Sequence, residues 1–114
     1  MPRLPLLASI SATVANGVAV GRLTPGVAGS SWTVRRMITS TTLGPDVPCD
    51  LKVYRNVISE ATKLDGTSSA GQDTSEIPDG IPLAATETLI AVWSGVANGT
   101  ICTFTVSGDN DTGR

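Results

Sequence analysis

Apolar and hydroxyl side chains alternate one for one along much of this chain, and that spacing buries a single face only as a β-strand. Ile10, Ala12 and Val14 fall on one side, with Ser9, Ser11 and Thr13 on the other. Cys49, Leu51 and Val53 alternate with Asp50, Lys52 and Tyr54. Cys102, Phe104 and Val106 alternate with Thr103 and Thr105. No helical period of comparable length occurs. Asn16-Gly17 separates two alternating runs, the pattern of a type I′ turn, which predicts a first hairpin from about Ser9 to Leu23. Trp32 to Thr41 predicts the longest strand, with Trp32, Val34, Arg36 and Ile38 on one face and Thr33, Arg35, Met37 and Thr39 on the other. Cys49 to Tyr54 predicts the next strand, with a continuation to Ile58 left open. Glu87 to Ser94 is apolar on both faces and predicts a central strand. Asn98-Gly99 turns the chain into a last strand over Thr100 to Ser107. Short strands at this spacing predict an all-β fold, an antiparallel β-sandwich or jelly-roll-like barrel of six to eight strands.

At 114 residues the chain has material for one domain. Residues 1–8, with Pro2 and Pro5, predict an extended N-terminal arm ahead of a sandwich over 9–108, and 109–114 a polar tail. Within the sandwich, 60–82 is rich in Gly, Pro, Ser and Thr and is expected to be a long loop, of the kind that binds or packs as an Ω-loop. Three leucines in the arm, Leu4, Leu6 and Leu7, call for burial either on a neighbouring subunit or on the chain's own sandwich. The same segment is a poor export signal, because two prolines interrupt its apolar stretch and strand alternation begins at Ser9.

The absence of histidine removes His-based triads, His acid–base catalysis and nearly all zinc or haem sites. Two cysteines cannot complete a four-ligand zinc site. A net charge of -2 and a pI near 4.8 lack the basic footprint of a nucleic-acid binder. No run reaches the roughly 18–20 apolar residues of a membrane span. Asp109-Asn110-Asp111-Thr112-Gly113 is half a calcium loop without its distal Glu. The Asn-X-Thr patterns at Asn98 and Asn110 fit turn chemistry. No enzyme, cofactor or metal is expected.

Cys49 and Cys102 both face inward, either as two buried thiols or as a disulfide. Trp32 and Trp93 are core anchors, or a sugar-stacking platform if exposed. Charge is unevenly spread: seven of the eight basic residues lie at or before Lys63, and seven of the ten acids follow it. Two outcomes are open. The halves interleave in one sandwich, or the acidic Asp65, Asp73, Glu76 and Asp79 meet Arg22, Arg35 and Arg36 of another copy.

The ordered elements Gly29-Ser30-Ser31-Trp32-Thr33-Val34-Arg35-Arg36, Ser40-Thr41-Thr42, Cys49-Asp50-Leu51-Lys52-Val53-Tyr54-Arg55, Asp73-Thr74-Ser75, Leu83, Glu87 to Gly95, Gly99-Thr100 and Thr103 to Gly108 resemble small β-sandwich structural proteins of tailed phages, particularly of actinobacteria. The resemblance covers roughly residues 10–108. It implies a virion component made in the host cytoplasm, and the expected role is a capsid decoration protein that stabilises the shell by binding the major capsid protein or other virion proteins. A homo-oligomer, with a trimer favoured, is the expected form. Expected contacts are Arg3, Leu4, Leu6 and Leu7 of the arm, Arg35 and Arg36, and Asp65, Asp73, Glu76 and Asp79. Alternatives are a minor tail, baseplate or fibre module that binds a host glycan, and a bacterial carbohydrate-binding module. Neither nucleic acid nor membrane is an expected partner.

Overall fold

A computed structural model describes residues 3–26, 30–44 and 46–111, with the backbone alone for Arg3 and Leu4. Its strands are β1 Arg3–Thr13, β2 Val18–Leu23, β3 Ser31–Thr41, β4 Asp50–Arg55, β5 Lys63–Thr67, β6 Gln72–Leu83, β7 Leu89–Ser94 and β8 Ile101–Asp111. They form two antiparallel four-stranded sheets, ordered β1-β8-β3-β6 and β2-β7-β4-β5. The expected β-sandwich is the observed one.

The pairing has a simple rule. β1 pairs with β8, β2 with β7, β3 with β6 and β4 with β5, so each strand meets its mirror image about the β4–β5 turn. A long hairpin rolled up on itself has this pairing, and with the lateral contacts β3–β8 and β4–β7 it is the eight-stranded jelly roll. Between the sheets lie Val34, Met37, Phe104 and Val106 from one side and Leu51, Val53, Leu89 and Trp93 from the other. Trp93 meets Phe104 edge-on across the core, with ring centroids 6.4 Å apart and planes at 76°. Its indole N–H donates to Thr39 Oγ1 at 2.9 Å, and the Thr39 hydroxyl donates to Ala70 O at 3.3 Å. The one polar group of the largest core side chain is thereby satisfied.

Several expectations need correction. Asn16-Gly17 does make the tight turn, with φ of 54° and 81° and reciprocal Ala15–Val18 backbone bonds of 3.0 and 3.1 Å. The two strands it joins nevertheless enter different sheets, so the Ser9–Leu23 hairpin does not extend beyond that turn. Long ladders to β8 and β7 offer each strand more bonds than the local pair does. The arm is not separate either: Arg3 to Ala8 is the first half of β1, in register with Asp111 to Val106, and Leu6 is buried in the chain's own core. Residues 109–111 are likewise β8 rather than tail, while Met1, Pro2 and 112–114 lie outside the described residues.

The 60–82 stretch is structured, as a 3-10 turn Glu60–Thr62 followed by β5 and β6. Both are edge strands, and their half-exposed faces carry Asp, Ser and Thr where a buried strand would alternate with apolar residues. β4 stops at Arg55, because Asn56 takes a left-handed φ of 68°, and Val57 and Ile58 are exposed.

In β3 the expected faces hold only as far as Val34. Register to β8 passes from Val34↔Gly108 to Arg36↔Ser107, leaving Arg35 as an extra residue. This bulge resets the alternation, so Met37 and Thr39 point inward and Ile38 outward. It also lets two successive arginines reach solvent, which strict alternation forbids.

Candidate functional site

The outer face of the β1-β8-β3-β6 sheet is a lattice of small side chains. Register aligns Leu7, Ser107, Arg36 and Glu76 in one row, then Ser9, Thr105, Ile38 and Thr74, then Ser11, Thr103, Ser40 and Gln72. Ser9 and Thr105 share a hydroxyl hydrogen bond of 3.0 Å, and so do Ser11 and Thr103. These bonds fix rotamers on both strands and partly satisfy the hydroxyls without a partner. Leu7, at 78% exposure, is the most exposed large apolar side chain of the described residues, and Ile38 stands on the same face.

Arg36 and Glu76 are the charged members of these rows and neutralise each other. The guanidinium Nε donates to both carboxylate oxygens at 3.0 Å and Nη2 donates to Oε1 at 2.6 Å. These hydrogen bonds hold the Glu76 carboxyl below its usual range and raise Arg36 further. Arg35 turns toward the sheet's other end, where Nε donates to Asp109 Oδ2 at 2.9 Å and Nη1 to Pro78 O at 3.2 Å. Pro78 lies in the stretch Ile77 to Gly80 that β6 bulges out between its partners of Val34 and Arg36. Arg55 Nε lies 3.9 Å from Glu87 Oε2. Each of these three ion pairs joins a basic residue of the first half to an acid of the second, so the fold interleaves the charge asymmetry within one chain.

The four expected acids do not form one patch. Glu76 belongs to the outer face and Asp79 is exposed in the β6 bulge. Asp65 of β5 and Asp73 of β6 line the gap between these edge strands of opposite sheets, each opposite a hydroxyl of the other strand. Thr67 Oγ1 donates to Asp73 Oδ2 at 2.6 Å and Ser75 Oγ to Asp65 Oδ2 at 2.7 Å. These reciprocal bonds latch the open side of the sandwich over a cavity of about 160 Å³, with Met37, Leu51, Val53 and Phe104 beneath. Among the described residues, no group of three or more His, Cys, Asp or Glu side chains is placed to hold a metal ion.

Of the expected arm contacts, Leu6 is buried and Leu7 is free to touch a partner; the side chains of Arg3 and Leu4 lie outside the described residues. All four aromatic residues are buried, Trp93 at 0% and Trp32 at 8% exposure, which removes a ring platform for sugar stacking. Cys49 and Cys102 are free thiols, and burial pushes Cys102 up to about 11. The hydroxyl lattice was readable only in part. Alternation put Ser9, Ser11, Thr103 and Thr105 outward, but which strands stand side by side is a property of pairing. No protein-family model matches the chain, and no curated protein matches it either.

Proposed function

We propose that this chain is a structural protein of a phage particle, a capsid decoration protein that docks on the assembled shell through the outer face of the β1-β8-β3-β6 sheet. The observation that carries the proposal is the low-entropy character of that face. Its hydroxyls are short, four of them are paired across β1 and β8, and its ion pairs, Arg36–Glu76 and Arg35–Asp109, are internal. A partner that covers it immobilises few rotamer-rich side chains, and avoiding that cost is a main route to affinity in a small interface. Interface cores are also depleted in unpaired charge. Leu7 and Ile38 supply the apolar contacts.

The resemblance to tailed-phage β-sandwich proteins and a jelly-roll architecture that recurs in viral capsid domains support the same reading. Fold alone leaves function open, because the jelly roll also serves lectins and cupins. Binding only the assembled lattice stabilises it by mass action. The major capsid protein is the proposed partner, and a homo-oligomer, a trimer first, the proposed bound form. Immunogold labelling of particles from the phage that encodes the chain tests the assignment. Label distributed over the shell is the expected result. Label confined to the tail tip would move the protein to the tail, where a glycan would have to be held without an exposed aromatic ring. Particles without label would reject a virion role.

A further inference from the structure

Cys49 and Cys102 reach one end of the core from opposite sheets. Cys49 immediately precedes β4; it forms a bridge with Ser69, and its carbonyl accepts the Ala70 N–H at 2.9 Å. Cys102, in β8, is the register partner of Thr41, whose N–H donates to Gly71 O at 3.1 Å. Residues 70 and 71 therefore tie the backbone at Cys49 to Thr41 of β3, the strand residue beside Cys102. Both side chains belong to the same buried cluster, at 1% and 0% exposure. The thiols are near enough for each to influence the other's ionisation, and burial raises both, leaving little thiolate at neutral pH.

We propose that Cys49 and Cys102 form a latent inter-sheet cross-link whose redox state is fixed when the chain folds. An unfolded chain exposes both sulfurs to a low-molecular-weight disulfide. One thiolate attacks it, displacing a thiolate and leaving a mixed disulfide. The second cysteine then attacks the protein sulfur of that adduct and expels the other thiolate. Two protein thiols are oxidised to one S–S bond, and one small disulfide is reduced to two thiols, which take up the two protons released. In the folded chain the same reagent finds no accessible sulfur. A chain folded under reducing conditions thus keeps its thiols after it meets an oxidant, and one folded with the oxidant present is locked. The cross-link would join two sheets and close a long loop of the unfolded chain, which raises resistance to unfolding.

The experiment uses oxidised glutathione and the full chain. Native reduced protein is incubated with it for hours. A second sample is unfolded in guanidinium, refolded with the same reagent, and compared by intact mass, circular dichroism and denaturant midpoint. The expected native sample is unchanged in mass. The refolded sample is expected to be about 2 Da lighter, native-like by circular dichroism and higher in midpoint. Refolded Cys102→Ser should carry one glutathione instead. Refolded chains that are native-like with two free thiols or two glutathiones, or cross-linked chains without the native spectrum, would overturn the cross-link. Loss of both thiols from the native sample during that incubation would overturn the folding-time lock.

Discussion

Thr39 is an unremarkable residue in the sequence and a demanding one in the core. Its hydroxyl accepts the Trp93 indole N–H and donates to Ala70 O, at 4% exposure. Thr39→Val keeps the shape and strands both partners, so it should cost about 1–3 kcal/mol, read as a lower urea midpoint with an unchanged slope. Gly108 is constrained by space. A Cβ there would lie 2.0 Å from the Thr33 carbonyl oxygen at the bulge, so Gly108→Ala must displace backbone. It should destabilise by about 3 kcal/mol or more, lowering the thermal midpoint by many degrees. Glu76 gives a pH signature. Its folded carboxyl titrates below the ordinary value of 4.5 because Arg36 hydrogen-bonds the ionised form. The resulting stabilisation is complete above that value and is lost as the pH falls through the depressed one. Glu76→Gln should flatten this acid limb of the urea midpoint, by a small amount since the pair is exposed.

At the scale of elements, the β3 bulge decides more than any single contact. Because Arg35 is the inserted residue, deleting it restores plain alternation and leaves Val34 and Met37 inward and Arg36 outward. Deleting Ile38 instead shifts Thr39 out of the core. The Ile38 deletion should therefore lower the thermal midpoint far more than the Arg35 deletion, which loses only the Asp109 and Pro78 contacts. The hydroxyl lattice invites a surface test. On the proposed docking face, Thr105→Lys adds a long cation between paired hydroxyls; it should leave the circular-dichroism melt nearly unchanged and abolish the proposed incorporation into particles. β1, β4, β7 and β8 were legible as strands because each buries one or both faces against the core. β5 and β6 were not. The Gln72 to Glu76 part of β6 is polar on both faces and β5 nearly so, which leaves no hydrophobic rhythm, and Pro78 and Gly80 sit where β6 bulges.

For the whole molecule, nested pairing makes the two ends of the described chain mutually dependent. β1 can form its ladder only once β8 is present, a span from Ser9 to Thr105. Such topology folds slowly, on the order of milliseconds to seconds or longer in stopped-flow refolding. Removing residues 1–8 strips half of β1 and takes Leu6, itself worth about 1.5–3 kcal/mol when buried, out of the core. The truncated chain should lose much of its stability, whereas a dispensable arm would leave the melt unchanged. Leu7→Ser is the better probe of contacts made by this segment, because that side chain faces solvent.

The sequence by itself determined the all-β class, the Asn16-Gly17 turn, the inward faces of Cys49 to Val53 and Cys102 to Val106, and the absence of histidine chemistry. These are local matters of period, φ and side-chain inventory. Tertiary structure decided which sheet each strand joined, where β3 changed faces, which acids met which arginines, and that two cysteines 53 positions apart share one end of the core. A strand's partners are selected by summed long-range ladders and by closing a common core, and neither quantity is written in any window of neighbouring residues.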